Sequence, residues 1–195
     1  MSKSRARLIC RGWLQAQALP EPKDAMLNFL FRRLTADPQR GADLFEAVTA
    51  IARRPHWYVE GGVADTLDGR FAVLTTVQAL VLVRLEAEGQ AGNAASVAVT
   101  ERFIEVMESE HRELGLGDPT LGKTVRKLVG SLARRTELWR TAVAGEGDWR
   151  EAARDSLFKG EAAEEALDHA AAALRELWAR LDQASLADIE KGRVE

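Results

Sequence analysis

One stretch of this sequence spells a phosphate-binding loop. Residues 117–124 satisfy G-x-x-x-x-G-K-T through Gly117, Gly122, Lys123 and Thr124. In a nucleotide-binding loop those positions supply backbone N–H groups, a lysine for the outer phosphates and a hydroxyl for magnesium. That chemistry needs a buried strand running into the first glycine, because the strand holds the loop so that its N–H groups converge. Here the preceding residues, 101–114, have the charge pattern of an amphipathic helix, and no alternation of strands and helices surrounds them. No strand ending in an aspartate offers a magnesium ligand either. Each residue has a structural explanation: Gly115 and Gly117 make a turn, Asp118 caps a helix, Pro119 takes its favoured first position and Lys123 joins the solvent face. A nucleotide-dependent enzyme is therefore the least favoured of the readings.

The other groups that could do chemistry are scattered. His56, His111 and His169 lie far apart, and none has a histidine or cysteine three or four residues away, so no preassembled metal site is expected. Glu108, Glu110, Glu113, His111 and Arg112 could supply acids and bases, but helical spacing spreads them around the axis as a solvated charged turn. No serine or cysteine sits in a nucleophile elbow. The single cysteine, Cys10, cannot form an internal disulfide, which fits a reducing compartment. No cofactor and no catalytic residue are expected. More notable are polar residues at glycine-marked corners: Asp65, Asp68 and Arg70 at one, Arg112, Glu113 and Asp118 at another. Either they bind each other as structural glue or they face a partner.

The elements that must position these residues read as helices throughout. Leu27, Leu30, Phe31 and Leu34 share a face while Arg32 and Arg33 lie elsewhere, and Leu44, Val48 and Ile51 repeat the pattern until Pro55 stops it. Residues 57–69, with Gly61, Gly62 and the Asp68-Gly69 pair, read as a connector. Residues 70–86 are apolar nearly all round and predict a helix surrounded by others, closed by the glycines of 89–93. A helix over 96–114 turns Val99, Phe103, Met107 and Leu114 inward. One after Pro119 turns in Leu121, Val125, Leu128, Leu132 and Trp139 and leaves Lys123, Arg126, Lys127 and Arg134 opposite. Asp148 and Glu151 open a short helix by a capping-box pattern, and residues 161–183 form a last one with Leu167, Ala171, Leu174, Trp178 and Leu181 on its seam. No strand shows convincing alternation. The predicted class is all-α: one multi-helix domain, 26–195, around a central helix at about 71–86, with 1–25 a basic N-terminal tail.

The charge is unevenly placed. Residues 1–40 hold eight Lys/Arg against Glu21, Asp24 and Asp37, a net +5 that leaves −8 for the rest of a chain totalling −3. An acidic body repels phosphate backbones at long range, so no nucleic-acid partner is expected. The longest uncharged run, 71–83, is shorter than the roughly 20 residues a spanning helix needs. The basic helix carrying Arg32 and Arg33 could touch an anionic membrane surface.

Two blocks resemble a known family. Residues 62–71 read Gly-Val-Ala-Asp-Thr-Leu-Asp-Gly-Arg-Phe, ending in Arg70 and Phe71, and lead into the apolar helix. Residues 111–118 read His-Arg-Glu-Leu-Gly-Leu-Gly-Asp and lead into a helix containing Lys123. In this order they are similar to the signatures of the ubiquinol-cytochrome c chaperone family. The likeness covers residues 44–192, with departures at Val77, where the family usually has histidine, and at Leu132-Ala133-Arg134-Arg135, where it has an aromatic-Tyr-Gly-Arg element.

The resemblance implies an α-helical, non-enzymatic assembly factor that binds a cytochrome b-type client and helps build the ubiquinol-cytochrome c reductase complex. It would be cytoplasmic and peripheral at the inner membrane, or in the matrix of a mitochondrion. Asp65, Asp68, Arg70, Phe71, Arg112, Glu113, Asp118 and Lys123 would contribute to the partner surface. The alternative is a lipid-binding or small-hydrophobic-ligand-binding helical protein, which a void lined by Leu74, Val77 and Val81 would favour.

Overall fold

The computed structural model describes residues 40–113, 118–158 and 162–194, with 118–121 as backbone only. The expected basic tail and the helix carrying Arg32 and Arg33 lie outside these residues, as do Leu114 and Gly117. Every regular element described is helical: α1 (Ala42–Ala52), a 3-10 turn (Pro55–Trp57), α2 (Leu67–Glu86), α3 (Gly89–Glu113), α4 (Asp118–Val143), α5 (Trp149–Leu157), α6 (Glu164–Gln183) and α7 (Leu186–Glu190).

α2 is the axis of the fold. Residues 75–81 are buried without interruption, which only a helix covered on all sides can achieve, and α1, α3, α4, α5 and α6 all pack against it. The uniform apolarity of the run thus translates into central position. Around it the amphipathic helices turn in the residues their spacing marks: Leu44, Val48 and Ile51 from α1, Val99, Phe103 and Met107 from α3, Leu132 and Trp139 from α4, Leu167, Leu174 and Leu181 from α6.

Boundaries differ from expectation where side chains override the glycine signal. α2 starts at Leu67, not Arg70, because the Thr66 hydroxyl accepts from the Gly69 N–H at 3.2 Å and caps the first turn. Asp68 and Gly69 are inside the helix, so they do not punctuate a loop. α3 likewise starts at Gly89, not at 96. Gly89 turns the chain with φ +59°, and a Cβ on Gly92 would stand 1.9 Å from the Leu85 carbonyl oxygen. These glycines make a two-residue link between packed helices instead of a longer loop. The short helix opened by Asp148 is as expected: its carboxylate accepts from the N–H groups of Arg150 and Glu151. α7 carries no sequence expectation; it is one turn and a half capped by Ser185, and it buries Ile189.

Arg84 ties the centre to the end of the chain. Nearly buried, it donates from Nε to the Leu181 carbonyl and from Nη2 to the Ala184 carbonyl, both at 3.0 Å, and from Nη1 to Glu88 at 2.7 Å. It thereby adds to the single 3.2 Å bond that the Leu181 carbonyl receives from the Ala184 N–H and gives the Ala184 carbonyl, past the end of α6, a donor.

Candidate functional groove

The connector 53–66 is fastened at both ends by side chains reaching backbone. Trp57 Nε1 donates to the Ile51 carbonyl at 2.8 Å and the Tyr58 hydroxyl to the Ala52 carbonyl at 2.9 Å, so two aromatic residues close the C-terminus of α1. Burial pushes the Tyr58 phenol up from its ordinary value. At the far end Ala64 presses on the first turn of α2 so closely that a Cβ on Gly69 would stand 1.9 Å from its carbonyl oxygen. Only glycine permits that approach.

So held, the connector, α1, the start of α2, the last turns of α3 and Leu128 of α4 enclose a groove of about 750 Å³, open to solvent along one side. Phe45, Ala52, Phe71, Leu74, Val106, Met107 and Leu128 give it an apolar floor. Beneath it the Phe103 ring lies 6.4 Å from Phe45 and 6.3 Å from Phe71, an aromatic underlay that fixes the floor. The rim is mixed. Val59 is 75% and Leu67 70% exposed, two of the three large apolar side chains left in water among the described residues. Beside them stand Arg53, Asp65, Asp68, Arg70 and Glu110. Arg70 Nε donates to Asp65 Oδ1 at 2.6 Å with both side chains exposed; the bond holds the Asp65 carboxyl below its ordinary range and raises the guanidinium. Being solvated, the pair adds little to stability.

The sequence-predicted residues divide between this groove and other surfaces. Asp65, Asp68, Arg70 and Phe71 line it together. Arg112 and Glu113 end α3 just past Glu110 and His111, which do line it; Arg112 reaches Glu108 at 3.9 Å and Glu113 is exposed. His111 Nδ1 donates to the Met107 carbonyl at 2.7 Å. Asp118 begins α4, and its side chain is outside the description. Lys123 is exposed on α4 and does not line the groove. Among the groove residues not predicted as partner surface are Arg53, Tyr58, Val59, Leu67 and Glu110, the last read only as part of a solvated charged turn. For Val59 and Leu67 the available signal was apolar side chains set in a glycine-rich connector with no helical seam to join.

The phosphate-loop spelling resolves as a helix. α4 begins at Asp118, so residues 118–124 are helical and cannot wrap a phosphate, and α3 rather than a strand precedes them. Of the residues expected to line a ligand void, Leu74 faces the groove, whereas Val77 and Val81 are fully buried in the core. Among the described residues no three His, Cys, Asp or Glu side chains are placed to hold a metal ion, and no helix is long and apolar enough to cross a membrane.

The profile of the ubiquinol-cytochrome C chaperone family matches residues 59–195, which contain most of the groove's connector, all of α2 and everything beyond. The chain belongs to this family. Its fold is also that of the crystal structure of the Cbp3 homolog from Brucella abortus. The TM-score is 0.67 at 24% identity, over 86% of this chain and 93% of that one. None of the curated proteins compared matches the chain. Within the family match, residues 65, 68, 70 and 71 of the first block line the groove, as does His111 of the second.

Proposed function

We propose that this chaperone acts by binding, without catalysing a reaction, and that its groove receives an apolar segment of a cytochrome b-type client during assembly of the ubiquinol-cytochrome c reductase complex. The observation that carries the reading is the exposure of Val59 and Leu67 on the rim of an apolar groove whose walls are fixed by backbone-directed bonds. Water-exposed apolar side chains beside a concave apolar floor are what a partner's hydrophobic segment would cover. The charged rim of Asp65, Asp68, Arg70 and Glu110 would orient that segment more than hold it.

The test is a Val59→Asp/Leu67→Asp double variant in the full chain. Both positions are exposed, so its melting temperature should stay close to wild type, while co-purification of the cytochrome b-type protein from native membranes should fall roughly tenfold or more. A folded double variant that captures client and supports complex assembly at wild-type levels would remove the groove from the mechanism. A small hydrophobic ligand is the competing occupant, since the volume falls in the range of ligand pockets, roughly 300–1,000 Å³. Extraction and mass spectrometry of the native protein would reveal it as a stoichiometric lipid.

A further inference from the structure

α4 has two opposed faces. Leu132, Trp139 and Ala142 are buried on one. On the other, Lys123, Arg126, Lys127 and Arg134 are all exposed. At about 100° per residue the four fall within an arc of about 100° pointing away from the core. No acidic residue stands between Asp118 and Glu137 in the chain. Several carboxylates of α2, α3 and α4 are engaged by other arginines: Glu137 and Glu86 by Arg140, Glu105 by Arg102, Glu108 by Arg112. Among the described residues no carboxylate pairs with any of the four. Gly130 lies within this arc, and a Cβ built there meets nothing within 4 Å, so the surface between the cations is open at that point. Beneath it, Arg135 is buried and held by the Ser131 and Ser156 carbonyls without a carboxylate. Its guanidinium is lowered to about 10 by burial first and by the neighbouring charge of Arg134 second.

We propose that this stripe docks the protein on an anionic phospholipid surface. The four charges span twelve residues, about 16 Å of helix from first to last, so they can meet one plane of headgroups together. Each lies close enough for an interaction whose screening length is roughly 8–10 Å. A lipid surface fits better than RNA for two reasons. No aromatic side chain shares the stripe to stack a base, and the body after residue 40 is net acidic, which a locally flat contact with headgroups tolerates better than a long polyanion would. The inference stands on the charge geometry of α4 and does not depend on what occupies the groove.

The experiment is co-sedimentation of the full chain with phosphatidylcholine vesicles, with and without one third phosphatidylglycerol. Binding is expected only to the anionic vesicles and should weaken as salt rises. Each basic residue is worth about fivefold in partitioning, so a Lys123→Gln/Arg126→Gln/Lys127→Gln/Arg134→Gln variant should lose several hundredfold. Circular dichroism checks that it folds; if it does not, Lys127→Gln and Arg134→Gln alone should each lose about fivefold. The comparison variant is Arg32→Gln/Arg33→Gln, expected to retain most of the binding. The proposal is overturned if neutral vesicles bind equally, if the Arg32/Arg33 variant and not the α4 variant loses binding, or if a mixed-sequence RNA competes the protein off the vesicles at stoichiometric concentration.

Discussion

Gly69→Ala separates a structural requirement from helix propensity. A Cβ at position 69 would stand 1.9 Å from the Ala64 carbonyl oxygen and 3.2 Å from Val63 Cγ1. The first is backbone and cannot swing aside, so the connector must retreat by about 1.5 Å to reach ordinary contact distance. Overpacking of this kind costs about 1–3 kcal/mol, and a shifted connector would also strain the Thr66 cap, worth typically about 1 kcal/mol. Against these, alanine is better than glycine in a helix by about 0.8–1.0 kcal/mol. The clash wins by about 2 kcal/mol, which at about 2–4 °C per kcal/mol for a chain this size lowers the melting temperature by about 4–8 °C. Gly130→Ala is the internal standard: it lies in α4 with nothing near its missing Cβ, so propensity acts alone. It should raise the melting temperature by about 2–4 °C. Thermal melts followed by circular dichroism compare the two. If Gly69→Ala melts at or above wild type, the close approach of Ala64 is not what this glycine provides.

Replacing Arg84 by methionine keeps the stem but removes donors from the Leu181 and Ala184 carbonyls and from Glu88. Chemical denaturation should show a loss of about 2–4 kcal/mol, and a loss under about 0.5 kcal/mol would refute its capping role. His56 Nδ1 and His169 Nε2 stand 3.1 Å apart, and burial first, then the charge of His169, lowers the His56 pKa from 6.5; Arg54 lowers it further while Glu60 and Glu176 oppose. The unfolded chain therefore binds more protons as pH falls below 6.5. The stabilising contribution is present above that value and is lost on acidification, and His56→Gln should flatten the slope of stability against pH in that window. Arg70→Ala should leave the melting temperature nearly unchanged, because its pair with Asp65 is solvated, while lowering the level of assembled complex; a large drop in stability would make Arg70 a clamp for the connector. Titration with magnesium and ATP should give no stoichiometric heat, since residues 118–124 form a helix rather than a phosphate nest.

What could be read from the sequence follows from how local its cause is. The all-α class and the inward residues of α1, α3, α4 and α6 depend only on spacing along one helix, and the Asp148 cap only on neighbours three residues away. The central place of α2 followed from an apolar run with no polar face. The helix starts were less legible because a glycine near a helix end is ambiguous: it can mark a break or permit a close approach inside the helix. Gly69 and Gly92 look like breakers, yet at each a carbonyl of the preceding segment, Ala64 or Leu85, stands 1.9 Å from where a Cβ would be, and spacing alone does not register that. The groove lies further still from local pattern. Asp65, Asp68, Arg70 and Phe71 were marked by one signature block, but the residues that complete the walls come from α1, α3 and α4. His56 and His169, 113 residues apart, were read as isolated for the same reason.

The stability of the groove and the character of its rim call for opposite kinds of interaction, and the chain keeps them on different atoms. Its shape rests on groups that point into the protein: the Trp57 and Tyr58 donors on the end of α1, the Thr66 cap, the contact at Gly69 and the Phe103 ring under the floor. What faces outward is weakly held, comprising a solvated ion pair, an exposed valine and an exposed leucine. A preformed wall lowers the ordering cost of receiving a partner, while a rim without strong directional bonds lets a transient partner leave. If the groove takes a client as proposed, this division would allow both capture and release. It also sets the direction of mutational effects, with changes at Trp57, Thr66 or Gly69 read out in stability and changes at Val59, Leu67 or Arg70 read out in client capture.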